Sequence, residues 1–184
     1  MNRKIRLDLA VTLDGYIEGT NGEVDWCIMD AEMGFVDFLH EIDTILYGRK
    51  SYEQWGQYTP EPDQSAAEKE LWELVHSKEK YVFSRTQKGT DEKAVFLNDH
   101  LVEAVKELKQ KPGKDIWLYG GANLITTFIQ LGLVDEFRLS VHPVVLGEGK
   151  PLFLDIKQRL NLKLVTSKTF SSGVVQLIYH WDGN

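Results

Sequence analysis

Three short motifs combine glycine, hydroxyl and cationic residues, and each follows directly on an apolar run. The motifs are Gly48-Arg49-Lys50-Ser51, Ser84-Arg85-Thr86 and Gly120-Gly121-Ala122-Asn123. Guanidinium, ammonium and hydroxyl groups bind phosphate oxygens, and two consecutive glycines let a ligand approach the backbone closely. The set therefore predicts a binding site for an extended ligand with separated phosphate groups.

Each motif alone also has an ordinary structural interpretation. A Gly-Gly pair before a helix is more often a tight turn, and Arg49 or Arg85 is more often a solvated cation or half of a surface ion pair. Their recurrence after three apolar runs favours the phosphate site. The sequence has no G-x-G-x-x-G after its first predicted strand and no G-x-x-x-x-G-K-S/T, so neither the usual dinucleotide fingerprint nor a nucleotide-hydrolysing P-loop fits.

The elements that must position these motifs alternate along the chain. Short apolar runs predict strands at residues 5–11, 44–47, 80–83, 94–97 and 115–119, and apolar residues at helical spacing predict helices at 33–42, 64–77, 100–109 and 122–131. Such alternation favours a mostly parallel sheet covered by helices on both faces. Ligands of open α/β sheets bind beyond the carboxyl ends of the strands, so the motifs form one site if their strands are neighbours.

The last third of the chain has a different pattern. A strand is predicted at residues 137–141, a glycine-rich loop at 144–153, and two alternating runs at 162–170 and 174–181 flank Ser171-Ser172-Gly173. Two such runs around a short glycine turn predict a β-hairpin. The predicted fold class is therefore α/β, a three-layer αβα arrangement with a mixed, mostly parallel sheet that ends in an antiparallel hairpin. One domain over residues 1–184 is expected from the length.

Composition limits the classes of partner. The 184 residues carry a formal net charge of −7, which argues against general binding to nucleic acid or to a membrane surface. The single cysteine, Cys27, excludes an internal disulfide and suits a reducing compartment. No signal-peptide core or bilayer-spanning apolar run is present, so we expect a cytoplasmic protein.

Other chemistries have weaker support. The five histidines show no H-E-x-x-H or other close ligand spacing, and no G-x-S-x-G occurs, so neither a metal centre nor an α/β-hydrolase site is expected. Carboxylate pairs such as Asp30 and Glu32 are usually solvated in an acidic chain. Metal-free chemistry with a bound cofactor is the simplest prediction.

Six segments together resemble a known family. Residues 10–17, 46–53, 82–86, 120–124, 133–136 and 143–153 read AVTLDGYI, LYGRKSYE, VFSRT, GGANL, LVDE and PVVLGEGKPLF. They resemble the dihydrofolate-reductase-like superfamily, and within it the reductase domain at the C-terminus of bacterial riboflavin-biosynthesis deaminase/reductases. The resemblance implies a mixed sheet of about eight strands, NADPH as cofactor and a homodimer.

The resemblance also assigns cofactor contacts. It places the nicotinamide against the backbone of Ala10 and Ile17, phosphate groups at residues 49–51, the adenosine 2′-phosphate at Ser84 and Arg85, and the diphosphate along residues 120–124. The full predicted cofactor set is Ala10, Ile17, Gly48, Arg49, Lys50, Ser51, Ser84, Arg85, Thr86, Tyr119, Gly120, Gly121, Ala122, Asn123 and Leu124.

The substrate side departs from the family pattern. Riboflavin-pathway reductases commonly carry a lysine where this chain has Tyr16, and an acidic residue where it has Tyr119. Dihydrofolate reductases carry a carboxylate early in the helix after the tryptophan, where a count from Trp26 gives Ala31.

Two carboxyl residues flank Ala31. Asp30 or Glu32 is predicted to supply the proton, because a carboxyl in an apolar cleft near Trp26 would have a raised pKa. Asp14 and Trp26 are the predicted substrate contacts, although Asp14 also suits a turn.

The function predicted from these observations is an NADPH-dependent reductase of a small heterocycle, similar to 5-amino-6-(5-phosphoribosylamino)uracil reductase. A dihydrofolate- or pterin-type reductase and a nucleotide-binding module without turnover are the alternatives. A third possibility is an interaction protein whose C-terminal strands only form a dimer.

Overall fold

A computed structural model of the chain describes residues 2–90 and 93–183. The strands are β1 (Ile5–Thr12), β2 (Tyr16–Glu18), β3 (Ile42–Gly48), β4 (Glu79–Phe83), β5 (Gly89–Thr90), β6 (Val95–Leu97), β7 (Asp115–Gly120), β8 (Glu136–His142), β9 (Lys150–Pro151), β10 (Leu162–Thr169) and β11 (Val175–Trp181). The α-helices are α1 (Phe35–Glu41), α2 (Arg49–Ser51), α3 (Ala66–His76), α4 (Leu101–Gln110) and α5 (Ala122–Gln130). A 3₁₀ turn covers Ala31–Met33, and a π-helical turn, Tyr52–Gly56, continues α2.

The described chain divides into two compact units. The first contains Gly34–Gly121 together with residues 2 and 3, and the second contains Lys4–Met33 together with residues 122–183. The single domain expected from the chain length stays a prediction.

The first unit is built on five strands in the order β7-β3-β4-β6-β5. The β7–β3, β3–β4 and β4–β6 pairs are parallel, and β5 runs antiparallel to β6. Residues 44–47 of β3 are all buried, as expected for a central parallel strand that is covered on both faces. The core of this unit includes Phe38, Leu39, Ile45, Tyr47 and Trp117.

Helix α3 begins with a capping box. The Ser65 hydroxyl accepts a hydrogen bond from the backbone N–H of Glu68 at 3.2 Å, and the Glu68 carboxylate accepts one from the N–H of Ser65 at 2.9 Å. Two otherwise unpaired backbone donors are thereby satisfied. The cap sets the start of the helix at Ala66, two residues after the predicted one.

The second unit has four main strands in the order β10-β11-β8-β1. Strand β1 is parallel to β8, whereas β11 pairs antiparallel with both β8 and β10. The predicted C-terminal hairpin is confirmed, and Gly173 takes a left-handed conformation with φ +86° at its turn. Helix α5 buries Ile125, Phe128 and Ile129.

The predicted α/β class, with a mostly parallel sheet and an antiparallel C-terminal pair, is confirmed. In the described residues the main sheet order contains nine strands, five in the first unit and four in the second, in agreement with the expected number of about eight. The helix expected at residues 33–42 is shorter, because Ile42 already belongs to β3. The predicted loop at 144–153 contains β9, which pairs with β2. Within the two described ranges, no helix is long and apolar enough to span a membrane.

Candidate functional site

The strands that precede the three predicted motifs are neighbours in the first unit's sheet. Their strands β7, β3 and β4 are adjacent and parallel, with Gly48 opposite Phe83 and Tyr47 opposite Gly120. The carboxyl ends of the three strands therefore lie side by side. The condition under which the motifs form one site, that their strands are neighbours, is met.

A helical segment begins directly at the end of β3. Gly48 is extended, with φ −77° and ψ 152°, and residues 49–56 then continue as a helical and a π-helical turn. The first N–H groups of such a segment have no partner within it and can bind an anion. Ser51 is half-buried and Lys50 is exposed.

Arg49 is not a solvated cation in this structure. Its Nη1 lies 2.6 Å from Glu53 Oε1, and the two side chains are 40% and 52% exposed. An exposed ion pair of this kind contributes only about 0–1 kcal/mol. A phosphate group can therefore take the guanidinium from Glu53 at small cost, although the Glu53 carboxylate would repel an anion that stays close to it.

The Gly-Gly pair approaches the same segment closely. Gly120 has φ +114°, its peptide bond to Gly121 is cis, and a Cβ built on Gly121 would lie 3.0 Å from Ser51 Oγ. A side chain at Gly121 would press on Ser51. The absence of a side chain therefore allows the close approach of these two segments.

In the second motif, Ser84 forms hydrogen bonds within its own turn. The Ser84 hydroxyl is buried and accepts hydrogen bonds from the backbone N–H groups of Thr86 at 3.2 Å and Gln87 at 3.1 Å. Ser84 thus holds a turn that presents Arg85 and Thr86, both with exposed side chains. Arg85 and Thr86 are therefore the solvent-accessible side chains of this motif, and their phosphate contacts stay predictions.

Tyr119 and the first residues of α5 complete the predicted cofactor set. The Tyr119 ring packs against Tyr47 at 4.8 Å and Trp117 at 5.0 Å between centroids. Burial, followed by the nearby Tyr52, raises the pKa of Tyr47, so its hydroxyl stays neutral. In the second unit Ala122 and Leu124 are buried and Asn123 is exposed.

The remaining predicted residues lie in the second unit. Ala10 and Ile17 are half-buried on β1 and β2. The Asp14 carboxylate accepts hydrogen bonds from Thr12 Oγ1 at 2.6 Å and from the N–H of Gly147 at 2.8 Å. These bonds, that from Thr12 first, lower the pKa of Asp14. Asp14 therefore joins two loops, as its turn interpretation anticipates, and its substrate contact stays a prediction.

The predicted proton donors do not lie in an apolar cleft. Asp30 Oδ1 accepts a hydrogen bond from the backbone N–H of Glu32 at 2.9 Å, and the Glu32 side chain is exposed. Trp26 instead packs edge-on against the fully buried His142, with ring centroids 5.3 Å apart. The catalytic role of Asp30 or Glu32 stays a prediction.

A carboxyl group that the sequence interpretation missed lies on β1. Asp8 is buried, and its Oδ2 lies 2.8 Å from Arg138 Nε. Burial, opposed first by Arg138 and then by Arg6, raises the pKa of Asp8 from 3.8 to about 7. The sequence places two charged residues, Arg6 and Asp8, at alternate positions of the strand. This pattern normally indicates a solvent-facing side, so it did not indicate a buried carboxyl group.

No cluster of metal ligands occurs in residues 2–90 and 93–183: the described histidine, cysteine and carboxylate side chains form no group of three or more that could hold an ion.

The described chain has an α/β fold with a mixed, mostly parallel sheet. The chain belongs to the RibD C-terminal domain family, whose model matches residues 3–176. It is 72% identical to the protein YyaP of Bacillus subtilis (strain 168) over 181 residues, which cover 98% of this chain and 96% of YyaP. Membership of this family indicates a reductase.

Solved structures show the same fold. A protein named for riboflavin biosynthesis from Shewanella sp. PV-4 is similar with a TM-score of 0.78, at 23% identity and 99% coverage of both chains. The Thermotoga maritima diaminohydroxyphosphoribosylaminopyrimidine deaminase/5-amino-6-(5-phosphoribosylamino)uracil reductase has a TM-score of 0.71 at 16% identity, over 98% of this chain and 57% of its own. Enterococcus faecalis dihydrofolate reductase, complexed with NADP(H), has a TM-score of 0.66 at 14% identity, with 99% of each chain covered.

Proposed function

We propose that the protein is an NADPH-dependent reductase of a small heterocyclic substrate. The observation that carries this proposal is the meeting of three motifs at adjacent strand ends of the first unit. Their cationic, hydroxyl and glycine residues suit a ligand with two separated phosphate groups. A dinucleotide with an additional 2′-phosphate has this chemistry.

The fit to such a cofactor rests on the bare backbone at Gly121. Glycine lets a ligand approach the backbone here, beside the start of the 49–56 helical segment, where a Cβ would lie 3.0 Å from Ser51 Oγ. In the proposal Arg49, Lys50 and Ser51 bind phosphate oxygens. Arg85, on the turn held by Ser84, binds the 2′-phosphate and gives the preference for NADPH over NADH.

The protein residues orient the cofactor and the substrate, and the cofactor, when bound, supplies the hydride. Ala10 and Ile17 are proposed to lie along the nicotinamide. Holding donor and acceptor carbons about 3–3.5 Å apart is what converts binding energy into rate in such a reaction.

The proposed substrate is similar to 5-amino-6-(5-phosphoribosylamino)uracil. Family membership and the name of the Thermotoga maritima enzyme support this class. Tyr16 and Tyr119 stand where riboflavin-pathway reductases commonly carry a lysine and an acidic residue, so this chain would contact the pyrimidine or its phosphate differently. The proposal includes a cytoplasmic homodimer.

The test is NADPH oxidation, followed by the loss of its absorbance, with this uracil compound and with dihydrofolate in parallel. Turnover of the uracil compound is the expected result, and turnover of dihydrofolate alone would move the function to the folate class. Tight NADPH binding without oxidation by either compound would indicate a nucleotide-binding module. A chain that binds no NADPH would overturn the proposal.

A further inference from the structure

One face of the second unit's sheet carries polar side chains where a buried sheet normally carries apolar ones. Asp8 lies beside Arg138, and Ala10 beside Ser140, because β1 and β8 pair in parallel. Gln176 of β11 lies on the other side of Ser140. Cross-strand partners point to the same face of a sheet. These five residues therefore form one surface, which we call the polar face.

The segment of residues 26–33 covers the polar face. Arg138 Nη2 donates a hydrogen bond to the carbonyl of Met33 at 3.0 Å. At the start of the segment Trp26 packs on His142, which lies two residues beyond Ser140 on β8. The indole Nε1 of Trp26 is buried and donates to no acceptor in the described part of the chain.

The polar face is partly exposed to solvent at Ala10. Ala10 is partly exposed, whereas its neighbours Asp8, Thr12 and Ser140 are 8%, 1% and 4% exposed. Two small side chains, Ala10 and Ser140, lie side by side between larger residues. Solvent therefore reaches the sheet at this point, and Asp8 lies one alternate position away, about 7 Å along the strand.

The Asp8–Arg138 pair is not explained by stability. Replacing a buried ion pair by apolar residues of similar size is often neutral or stabilising. A buried carboxyl whose pKa is raised to about 7, two residues along the same strand face from the partly exposed Ala10, is instead typical of a functional site.

We propose that Asp8 is the proton donor of this reductase and that the substrate ring, which accepts the hydride, lies on the polar face beside Asp8 and next to the nicotinamide at Ala10. The inference rests on the proposed function, which puts the nicotinamide at Ala10. It replaces Asp30 and Glu32 in the role that the sequence assigned to them.

In the proposed step NADPH supplies the two electrons and Asp8 supplies the proton. Hydride moves from the dihydronicotinamide to the carbon of a polarised C=N or C=O bond, and the nitrogen or oxygen takes the proton from the Asp8 carboxyl. NADP⁺ and the Asp8 carboxylate remain, and water then reprotonates Asp8. Arg138, 2.8 Å away, stabilises the carboxylate in the interval.

The charged groups that face Asp8 come from two strands. Arg138 and Arg6 lower its pKa, and Glu136 raises it. Arg6 pairs with Glu136 at 2.6 Å, so these two largely offset each other. His180 of β11 lies 3.1 Å from the same glutamate.

On the covering segment, Asp30 bonds its own turn and Glu32 is exposed, while Lys168 of β10 donates to the Glu32 carbonyl at 3.1 Å. Arg138 is therefore the main charged partner of Asp8.

The test uses NADP⁺ and NADPH as probes and needs no substrate. The oxidised ring is positively charged, so beside Asp8 it favours the carboxylate, whereas the reduced ring is neutral. Both nucleotides carry a 2′-phosphate that titrates at about pH 6, so the informative quantity is the ratio of their affinities. If NADP⁺ lowers the Asp8 pKa by about one unit, its affinity relative to that of NADPH rises about tenfold between about pH 5.5 and about pH 8.5. Asp8→Asn should abolish the rise, and Asp25→Asn, an exposed carboxyl control, should keep it.

The outcomes separate this inference from the proposed function. Wild-type protein that binds neither nucleotide overturns the proposed function. NADPH binding with an NADP⁺/NADPH affinity ratio that does not change with pH overturns the Asp8 inference alone, and this result needs no variant to fold. Loss of the rise in Asp30→Asn or Glu32→Gln, with Asp8→Asn unaffected, would return the role to those residues.

Wherever the wild-type protein reduces the uracil compound, Asp8→Asn should lower kcat by about a hundredfold or more at an unchanged KM for NADPH. An undiminished kcat would also overturn the inference.

Discussion

Replacement of Asp8 by asparagine should change how the free energy of unfolding depends on pH. The folded-state pKa of Asp8 is raised from 3.8 to about 7. The folded protein therefore holds this proton more tightly than the unfolded chain does. The stability that the group contributes is fully present below about pH 4 and is lost as the pH rises through about 7.

The magnitude follows from the size of the shift. A rise from 3.8 to about 7 is about three units, and each unit corresponds to about 1.4 kcal/mol, so the full loss is of the order of 4 kcal/mol. Other carboxylates are already ionised above about pH 5. Between about pH 5 and about pH 8 the free energy of unfolding should therefore fall by about 3 kcal/mol because of Asp8.

The assay is urea unfolding of the wild type, Asp8→Asn and the exposed control Asp25→Asn at several pH values in this range. The wild type and the control should lose stability with rising pH relative to Asp8→Asn. Parallel pH profiles for all three proteins would refute the assignment of a near-neutral pKa to Asp8.

Three further variants test the cofactor site and the fold. Arg85→Ala should weaken NADPH binding by about tenfold to a hundredfold with little change for NADH, because a charge-assisted bond to the 2′-phosphate is lost; Lys88→Ala is the matched control, and equal losses for both nucleotides would contradict the assignment. Gly121→Val should reduce NADPH affinity with an unchanged circular dichroism spectrum, because a side chain would cover the backbone beside Ser51, 3.0 Å from the Cβ position. Unaltered affinity would count against Gly121 as part of the diphosphate site. Gly132→Ala should destabilise the protein by about 1–3 kcal/mol in urea unfolding, because Gly132 has φ +64° and a Cβ there would overlap the Trp181 ring; an unchanged midpoint would show that the ring moves freely.

The phosphate-binding edge could be predicted in part because its signals are local. An apolar run that stops at Gly48 and turns into a cationic helix start is visible in the sequence, as are the two glycines after β7. The adjacency of β7, β3 and β4 could not be read locally, because alternation of strands and helices predicts parallel pairing but not strand order.

Local patterns failed where burial depends on distant segments. Arg6 and Asp8 alternate with Ile5 and Leu7, which predicts a solvent-facing side, yet residues from β8 and the 26–33 segment bury that side. The hydroxyl of Ser84 holds a turn, which its sequence pattern does not show, and its phosphate contact stays a prediction. Strands β2, β5 and β9 have only two or three residues, too few for a period to appear.

The central claim is that the first unit's strand ends bind NADPH through its phosphates. A fluorescence titration of the wild-type protein with NADPH and NADH tests it most directly, with Arg85→Ala titrated beside it. We expect the wild-type protein to bind NADPH saturably and NADH more weakly. In Arg85→Ala the difference between the two affinities should be lost. Absence of NADPH binding, or equal wild-type affinities for the two nucleotides, would contradict it.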